Sequence, residues 1–112
     1  EGFAVIANVA SQEEVQTAYK LLWDFIERSD ESGIVSRKSM TTWFDAPVHD
    51  KGWPAERDDG IIHSRGIGQS EVLWYLRSLP ALRGIFAEIW GTEDLVTSFD
   101  GACVFRPCGQ FS

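Results

Sequence analysis

The sequence is short of cysteine, of positive charge and of long apolar runs. Its two cysteines are too few for a disulfide framework, so a reducing compartment is the default expectation. Ten basic residues stand against seventeen acidic ones, giving a net charge of −7. This charge argues against a nucleic-acid partner, because such partners usually need a basic face. No apolar run approaches the roughly 20 residues of a membrane-spanning helix, so we expect a soluble chain without a membrane partner.

Aromatic residues, in contrast, are abundant. The 112 residues include five tryptophans and seven phenylalanines, and disordered chains are poor in such residues. The composition therefore predicts a packed chain, and its length fits one domain or part of one. The chain begins at Glu1 without an initiator methionine, so it cannot be searched for a targeting signal. The cytoplasm is no more than a default compartment.

A first helix is predicted from about Gln12. Ser11 and Glu14 have the spacing of a capping box. The predicted apolar face consists of Val15, Ala18, Tyr19, Leu22, Phe25 and Ile26. Polar and small residues between Ser29 and Gly33 end the helix.

Two further helices are predicted in the second half of the chain. Ser70 is a plausible N-cap for a helix through Ser78, in which Leu73 and Leu76 face inward, with Trp74 as a further candidate. The next helix starts at Pro80, which suits a first turn, and Gly91 fits its end. Its apolar positions are Leu82, Ile85, Phe86, Ile89 and Trp90.

The remaining stretches predict extended or irregular backbone. Residues 3–6 are a short apolar run with strand character. From Ile34 to Gly68 the periodicity fails, although the stretch includes the aromatic residues Trp43, Phe44 and Trp53. Since long structureless loops are uncommon in compact domains, we expect this stretch to lie across a surface.

Residues 95–105 also predict extended backbone, interrupted by Asp100-Gly101. An Asp-Gly pair between apolar runs is a two-residue hairpin signal. The same pair also fits the interior of one long strand, where glycine marks a close approach of backbone or ligand. The sequence leaves both interpretations open.

The histidines do not predict a metal site. Non-haem iron oxygenases hold their metal with two histidines and one carboxylate. Their local signature is His-x-Asp or His-x-Glu, because alternate strand residues point the same way. His49 and His63 are followed at that spacing by Lys51 and Arg65, so we predict no metal ligand in this chain.

Three other signals are weak. Cys103 and Cys108 make at most half of a zinc site, and a bridge between them would have to span Pro107; Cys103 fits a small apolar strand residue better. Gly66-Ile67-Gly68 is only a fragment of a dinucleotide fingerprint, since the third glycine would fall at Glu71. It predicts a turn before a helix N-terminus, an end that favours carboxylates. We predict no catalytic residue.

Two stretches, taken together, resemble a known family. The first is Gly66-Ile67-Gly68-Gln69-Ser70-Glu71, followed by Leu73-Trp74-Tyr75-Leu76-Arg77 and Leu79-Pro80. The second is Phe86-Ala87-Glu88-Ile89-Trp90-Gly91-Thr92 with Asp94-Leu95, then Ser98-Phe99-Asp100-Gly101-Ala102 and Phe105-Arg106-Pro107. The opening Gly2-Phe3-Ala4-Val5-Ile6 before a capped helix also suits the family. The chain resembles the N-terminal half of phytanoyl-CoA dioxygenase-like proteins.

The resemblance implies a fold and a chemistry. The family has a double-stranded β-helix with flanking helices and oxidises small-molecule substrates with iron(II), 2-oxoglutarate and oxygen. Its iron-binding His-x-Asp follows the strand that residues 95–105 resemble, and the sequence stops at Ser112 before such a motif. We therefore expect iron(II) and 2-oxoglutarate in a longer parent protein, and no cofactor and no activity in residues 1–112 alone.

The resemblance also implies residues near the cosubstrate. The Gln69-Ser70 turn lies near that pocket in the family, and inward residues of the following long strand line the same cavity. If Asp100, Ala102 and Val104 share the inward face by period two, the predicted cofactor-binding residues are Gln69, Ser70, Asp100 and Ala102. A carboxylate at Asp100 inside an apolar barrel would be costly unless paired.

These observations give a leading hypothesis and a rival. The leading one is a single partial domain over residues 1–112, of the α+β class, with helices packed on an incomplete double-stranded β-helix, or jelly roll. Its unpaired strand edge would favour self-association. The rival is a stand-alone, mostly helical protein-interaction module without catalysis, which binds its partner through aromatic residues.

Overall fold

The computed structural model describes residues 2–45, 52–55 and 60–107. These residues form a mixed structure in which helices predominate and one small antiparallel sheet is present. The helices are α1 (Gln12–Ser29), α2 (Thr42–Asp45), α3 (Glu71–Ser78) and α4 (Pro80–Trp90), and the strands are β1 (Ile61–Ile62) and β2 (Ala102–Cys103). A short 3₁₀ turn, Ile67–Gln69, precedes α3. The α+β class predicted from the sequence is confirmed at this coarse level.

Helix α1 begins where the capping box predicts. The Ser11 hydroxyl accepts a hydrogen bond from the backbone N–H of Glu14 at 3.1 Å. In return, the Glu14 carboxylate accepts one from the backbone N–H of Ser11 at 2.9 Å. The two bonds satisfy donors that the first turn of a helix leaves free. After the helix ends, the buried carboxylate of Asp30 accepts the backbone N–H of Val35 at 2.7 Å and holds the following loop.

The buried face of α1 differs from the predicted one. Trp23 and Ile26 are its buried residues, whereas Val15 and Tyr19 are mostly exposed. The reason is tertiary: the elements that cover α1 meet its second half, so its first turns extend past the core. The amphipathic pattern predicted the helix correctly but placed the covered part of its face too near the N-terminus.

The core lies between α1, the irregular middle segment, β1 and α3. Its buried residues are Trp23, Ile26, Val35, Trp53, Ala55, Ile62, Ile67 and Val72. Trp53 is only 2% exposed, so the expectation that the aromatic middle stretch lies across a surface is confirmed for its described residues. Trp43 packs on the same cluster, with ring centroids 4.7 Å from Trp23.

Helices α3 and α4 have the predicted ends. Ser70 caps α3, and buried Leu79 joins it to α4, which opens with Pro80. Gly91 closes α4 in the left-handed region at φ 68°. Trp74 does not face inward as the sequence suggested. It is 43% exposed, and Val72 is the residue of α3 that lies in the core.

The predicted strand at residues 3–6 is not formed. These residues are exposed and carry no regular secondary structure. A strand needs a ladder partner, and the described part of the chain offers none to this run. The apolar run therefore stays outside the core.

The two strands pair across a long separation in sequence. Ile61 stands opposite Cys103, and Ile62 opposite Ala102. Because β2 pairs with β1, Asp100-Gly101 is not the turn of a hairpin within residues 95–105. Gly101 instead makes the close approach that the other interpretation allowed, since a Cβ at this position would overlap the carbonyl oxygen of Ile62.

Regular strand structure covers only a small part of the predicted extended segment 95–105. An alternation of exposed and half-buried residues nevertheless runs from Gly101 to Pro107. The double-stranded β-helix therefore stays a prediction. None of the helices among residues 2–45, 52–55 and 60–107 combines the length and apolar character needed to cross a bilayer.

Candidate functional site

The turn before α3 contains two of the predicted site residues. Ile67 is fully buried and fixes the turn, and Gly66 adopts the left-handed region at φ 77°. The buried hydroxyl of Ser70 donates to the carbonyl oxygen of Ile67 at 2.6 Å. The Ser70 hydroxyl oxygen in turn accepts a hydrogen bond from the backbone N–H of Leu73 at 3.4 Å. Ser70 is therefore engaged in capping α3.

Gln69 has a different environment. Its side chain is exposed, and its amide oxygen accepts a hydrogen bond from the indole N–H of Trp74 at 3.1 Å. It borders an open depression of about 350 Å³ together with Arg28 and Arg65. Arg65 is a structural residue, because its guanidinium donates to the carbonyl oxygens of Ser29 and Gly52 at 2.9 and 2.7 Å.

Asp100 and Ala102 do not share one environment. Ala102 and Val104 are half-buried and pack on the core, whereas Asp100 is exposed. The carboxylate of Asp100 accepts a hydrogen bond from the Ser98 hydroxyl at 2.6 Å. The structure therefore does not place Asp100 on one face with Ala102 and Val104, because no strand ladder imposes alternation before β2, and the cofactor-binding role of Asp100 stays a prediction.

The structure brings the turn and the segment before β2 together. A Cβ at Gly68 would lie 2.7 Å from the carbonyl oxygen of Phe99 and 3.1 Å from that of Asp100. The first distance is too short for a Cβ to fit without movement of the backbone, and the second is a tight contact. Glycine at this position thus permits the contact between two segments that are distant in sequence.

Arg77 reinforces this contact. Its guanidinium donates to the carbonyl oxygen of Gly68 at 2.7 Å and lies over the rings of Trp74 and Phe99. The centroids of those two rings are 5.8 Å apart. Sequence analysis missed this role of Arg77, although an aromatic residue and an arginine three positions apart on a helix are neighbours.

A second arginine holds the far end of the extended segment. The guanidinium of Arg106 donates to the carbonyl oxygen of Trp43 at 2.7 Å. It also lies over the rings of Phe44 and Trp53, 4.9 and 5.2 Å from their centroids. Residues 99–106 are therefore fixed at both ends, by Arg77 and by Arg106.

Among the described residues, a network of charged side chains joins α1 to the loop that follows it. Lys20 and Arg37 bind the Asp24 carboxylate at 2.8 and 2.6 Å. Their hydrogen bonds lower the pKa of Asp24 to about 2. Arg37 also binds Glu27 at 3.0 Å and lowers its pKa. This cluster ties a loop to a helix, so it has the character of a structural network.

The predicted absence of a metal ligand is not tested in full. His49 and Cys108 lie outside the described residues. His63 and Cys103 are exposed on or beside the sheet. Within residues 2–45, 52–55 and 60–107, no three histidine, cysteine or acidic side chains come together in a way that would hold a metal ion.

The geometry therefore joins the turn that contains Gln69 and Ser70 to the segment that contains Asp100, and it leaves Ala102 against the core. The cofactor-binding role of all four residues stays a prediction. Comparisons with known proteins found no match to this chain among protein-family models, curated proteins or solved structures.

Proposed function

We propose that this chain forms the N-terminal part of an iron(II)/2-oxoglutarate oxygenase domain of the phytanoyl-CoA dioxygenase type, without the iron-binding triad. The observation that carries the proposal is a sheet that is apolar on both faces. Ile62, Ala102 and Val104 point to the helical core, while Ile61 and Phe105 are exposed on the other side. Antiparallel sheets with one solvated face usually alternate apolar and polar residues.

The apolar outer face of the sheet needs a further element to cover it from water. Helices cover one side of the sheet in this chain, and the remaining strands of a double-stranded β-helix would cover the other. The interior of the barrel would then adjoin the free face, so Cys103 and Phe105 would line it. In this arrangement Ala102 would lie on the opposite side of the sheet, against the helical core.

The packing of the two family-like stretches also supports the proposal. Gly68 belongs to the first stretch, and Phe99 and Asp100 belong to the second; their backbones are in contact. Arg77 links the two stretches further by bonding the Gly68 carbonyl and stacking on Phe99. A contact that depends on glycine explains why both stretches would occur together in one sequence family.

In this proposal, residues of a longer parent protein complete the cofactor sites. Iron(II) would need a histidine and carboxylate set that these residues do not assemble. The exposed Asp100 carboxylate would repel the two carboxylates of 2-oxoglutarate, and the Ser70 hydroxyl already caps α3. Gln69 is the predicted site residue whose amide N–H groups suit a carboxylate. We therefore assign no reaction step to this chain.

A longer chain tests the proposal. We expect the sequence after Arg106-Pro107 to continue into a His-x-Asp or His-x-Glu and a later histidine. The extended protein should decarboxylate 2-oxoglutarate in an iron-dependent way, and residues 1–112 should not. Isothermal titration under anaerobic conditions should show no tight iron(II) complex of the present chain. A one-to-one complex that is lost on changing His49 or His63 would overturn the proposal.

The exposed helix α4 favours a second candidate function. Phe86, Ile89 and Trp90 face solvent, as expected of a helical module that docks a protein partner. The oxygenase proposal expects residues 1–112 to self-associate through their uncovered apolar faces. A monomer with a sharp, cooperative thermal transition in analytical ultracentrifugation and calorimetry would favour the interaction module instead.

A further inference from the structure

A groove lies between α3, α4 and the segment that follows them. It encloses about 530 Å³, which is within the range of small-molecule sites. Its apolar lining consists of Trp74, Leu82, Phe86, Trp90, Leu95 and Val96. None of the four residues predicted for the cosubstrate lines it, although its lining residues Trp74 and Ser98 donate hydrogen bonds to Gln69 and Asp100.

The polar part of the lining is cationic. Arg77 and Arg83 line the groove with Ser78, Thr97 and Ser98, and no acidic side chain is among the described lining residues. The Asp100 carboxylate lies just outside this lining, where it accepts a hydrogen bond from the Ser98 hydroxyl. This contrasts with a chain whose net charge is −7. A cationic concavity on an acidic protein attracts anions locally and repels them elsewhere.

Arg83 is the residue available to a ligand. In the part of the chain that the structure describes, the ion pairs involve Lys20 and Arg37 and leave Arg83 without an acidic partner. Glu93 lines a neighbouring depression with Arg83 and reduces the positive potential there. Arg77, in contrast, already binds the Gly68 carbonyl and stacks between two rings.

We propose that this groove binds a flat aromatic acid, with the ring system on the aromatic wall and the acid group at Arg83. Trp74, Phe86 and Trp90 offer large apolar surfaces with exposed rings, and such rings prefer other aromatic groups in offset or edge contacts. A guanidinium binds a carboxylate or sulfonate through charge-assisted hydrogen bonds. Both requirements are met by one molecule only if it is both aromatic and anionic.

A matched pair of fluorescent probes tests this assignment on the complete 112-residue chain. 1-Anilinonaphthalene-8-sulfonate carries the acid group, and N-phenyl-1-naphthylamine has the same rings without it. The sulfonate should bind at least about tenfold more tightly, the size expected for a charge-assisted hydrogen bond, and added salt should weaken it. Equal affinity of the two probes would overturn the proposal.

Variants locate the probe. Arg83→Gln should weaken the sulfonate about tenfold and leave the neutral probe unchanged, and Phe86→Ala should weaken both. Glu93→Gln should tighten the sulfonate, because it removes a nearby negative charge. Arg28→Gln is the matched control, since Arg28 is an exposed arginine that borders the other depression, and it should change neither affinity. Loss of binding in Arg28→Gln with none in Arg83→Gln would contradict the assignment.

Discussion

Helices α1 and α4 are both amphipathic, yet only α1 contributes to a core. Ile26 of α1 is 1% exposed, whereas Ile89 of α4 is 65% exposed. The middle segment with Trp53, together with α3, covers the second half of α1. Helix α4 has no buried residue. The difference shows that an apolar pattern predicts a helix whether or not its apolar face is covered in the same chain.

Paired isoleucine substitutions should give the largest difference between the two regions. Ile26→Ala should lower the free energy of unfolding by about 2–5 kcal/mol, because it leaves a cavity in the core. Ile89→Ala should change it by about 0.5 kcal/mol or less, as exposed positions do. Urea unfolding of the two variants measures both. Equal losses would mean that α4 packs as tightly as α1 and would break the comparison.

Glycine substitutions sharpen the same comparison. Gly68→Ala should cost about 1–3 kcal/mol, since its Cβ would meet the backbone of Phe99 and the contact must open. Gly84→Ala in α4 meets no atom within 4 Å. It should stabilise the protein by about 0.5–1 kcal/mol, because alanine favours a helix over glycine. Thermal unfolding distinguishes the two signs, and a neutral Gly68→Ala would show that the turn and the later segment are not in contact.

The smallest predicted effect is a loss of stability of the α1 region in acid. The folded pKa of Asp24 is about 2, below its ordinary value of 3.8, because of the hydrogen bonds from Lys20 and Arg37. The folded protein then binds fewer protons than the unfolded chain between these values. The stabilisation by ionised Asp24 is therefore complete above about pH 4 and is lost as the pH falls toward about 2. Asp30 adds to this: burial opposes ionisation, but hydrogen bonds from Ser32 and Val35 lower its pKa overall.

Unfolding measured between pH 5 and pH 2 checks this dependence. Arg37→Gln removes the donor shared by Asp24 and Glu27, so it should flatten the pH profile. Lys38→Gln changes an exposed cation next to it and should leave the profile as it is. A profile equally steep in both variants would contradict the assignment to the α1 network.

Local signals allowed much of the fold to be predicted. The start of α1 depends on Ser11 and Glu14, and the ends of α4 depend on Pro80 and Gly91. These residues act within one turn of the helix that they cap, so no tertiary knowledge is needed. Burial is different. Trp23 is buried in place of Tyr19 because the middle segment and α3, which are distant in sequence, pack on the second half of α1.

The candidate site could be predicted only in part. Resemblance pointed to the turn with Gln69 and Ser70 and to the segment with Asp100, and the structure joins these segments. The resemblance could not indicate the orientation of the Asp100 side chain, because alternation requires a strand ladder, which begins only at Ala102. Arg77 was missed, since its contacts with Gly68 and Phe99 depend on the fold.

Amide hydrogen exchange tests the central claim most directly. The claim is that α1 belongs to a complete core, whereas β2 has an apolar outer face that further strands would cover. In residues 1–112, amides around Trp23 and Ile26 should exchange only on global unfolding, and those around Cys103 through easier local opening. In a chain extended beyond Ser112, the second group should become as protected as the first. Equal protection of both groups in residues 1–112 would contradict the claim.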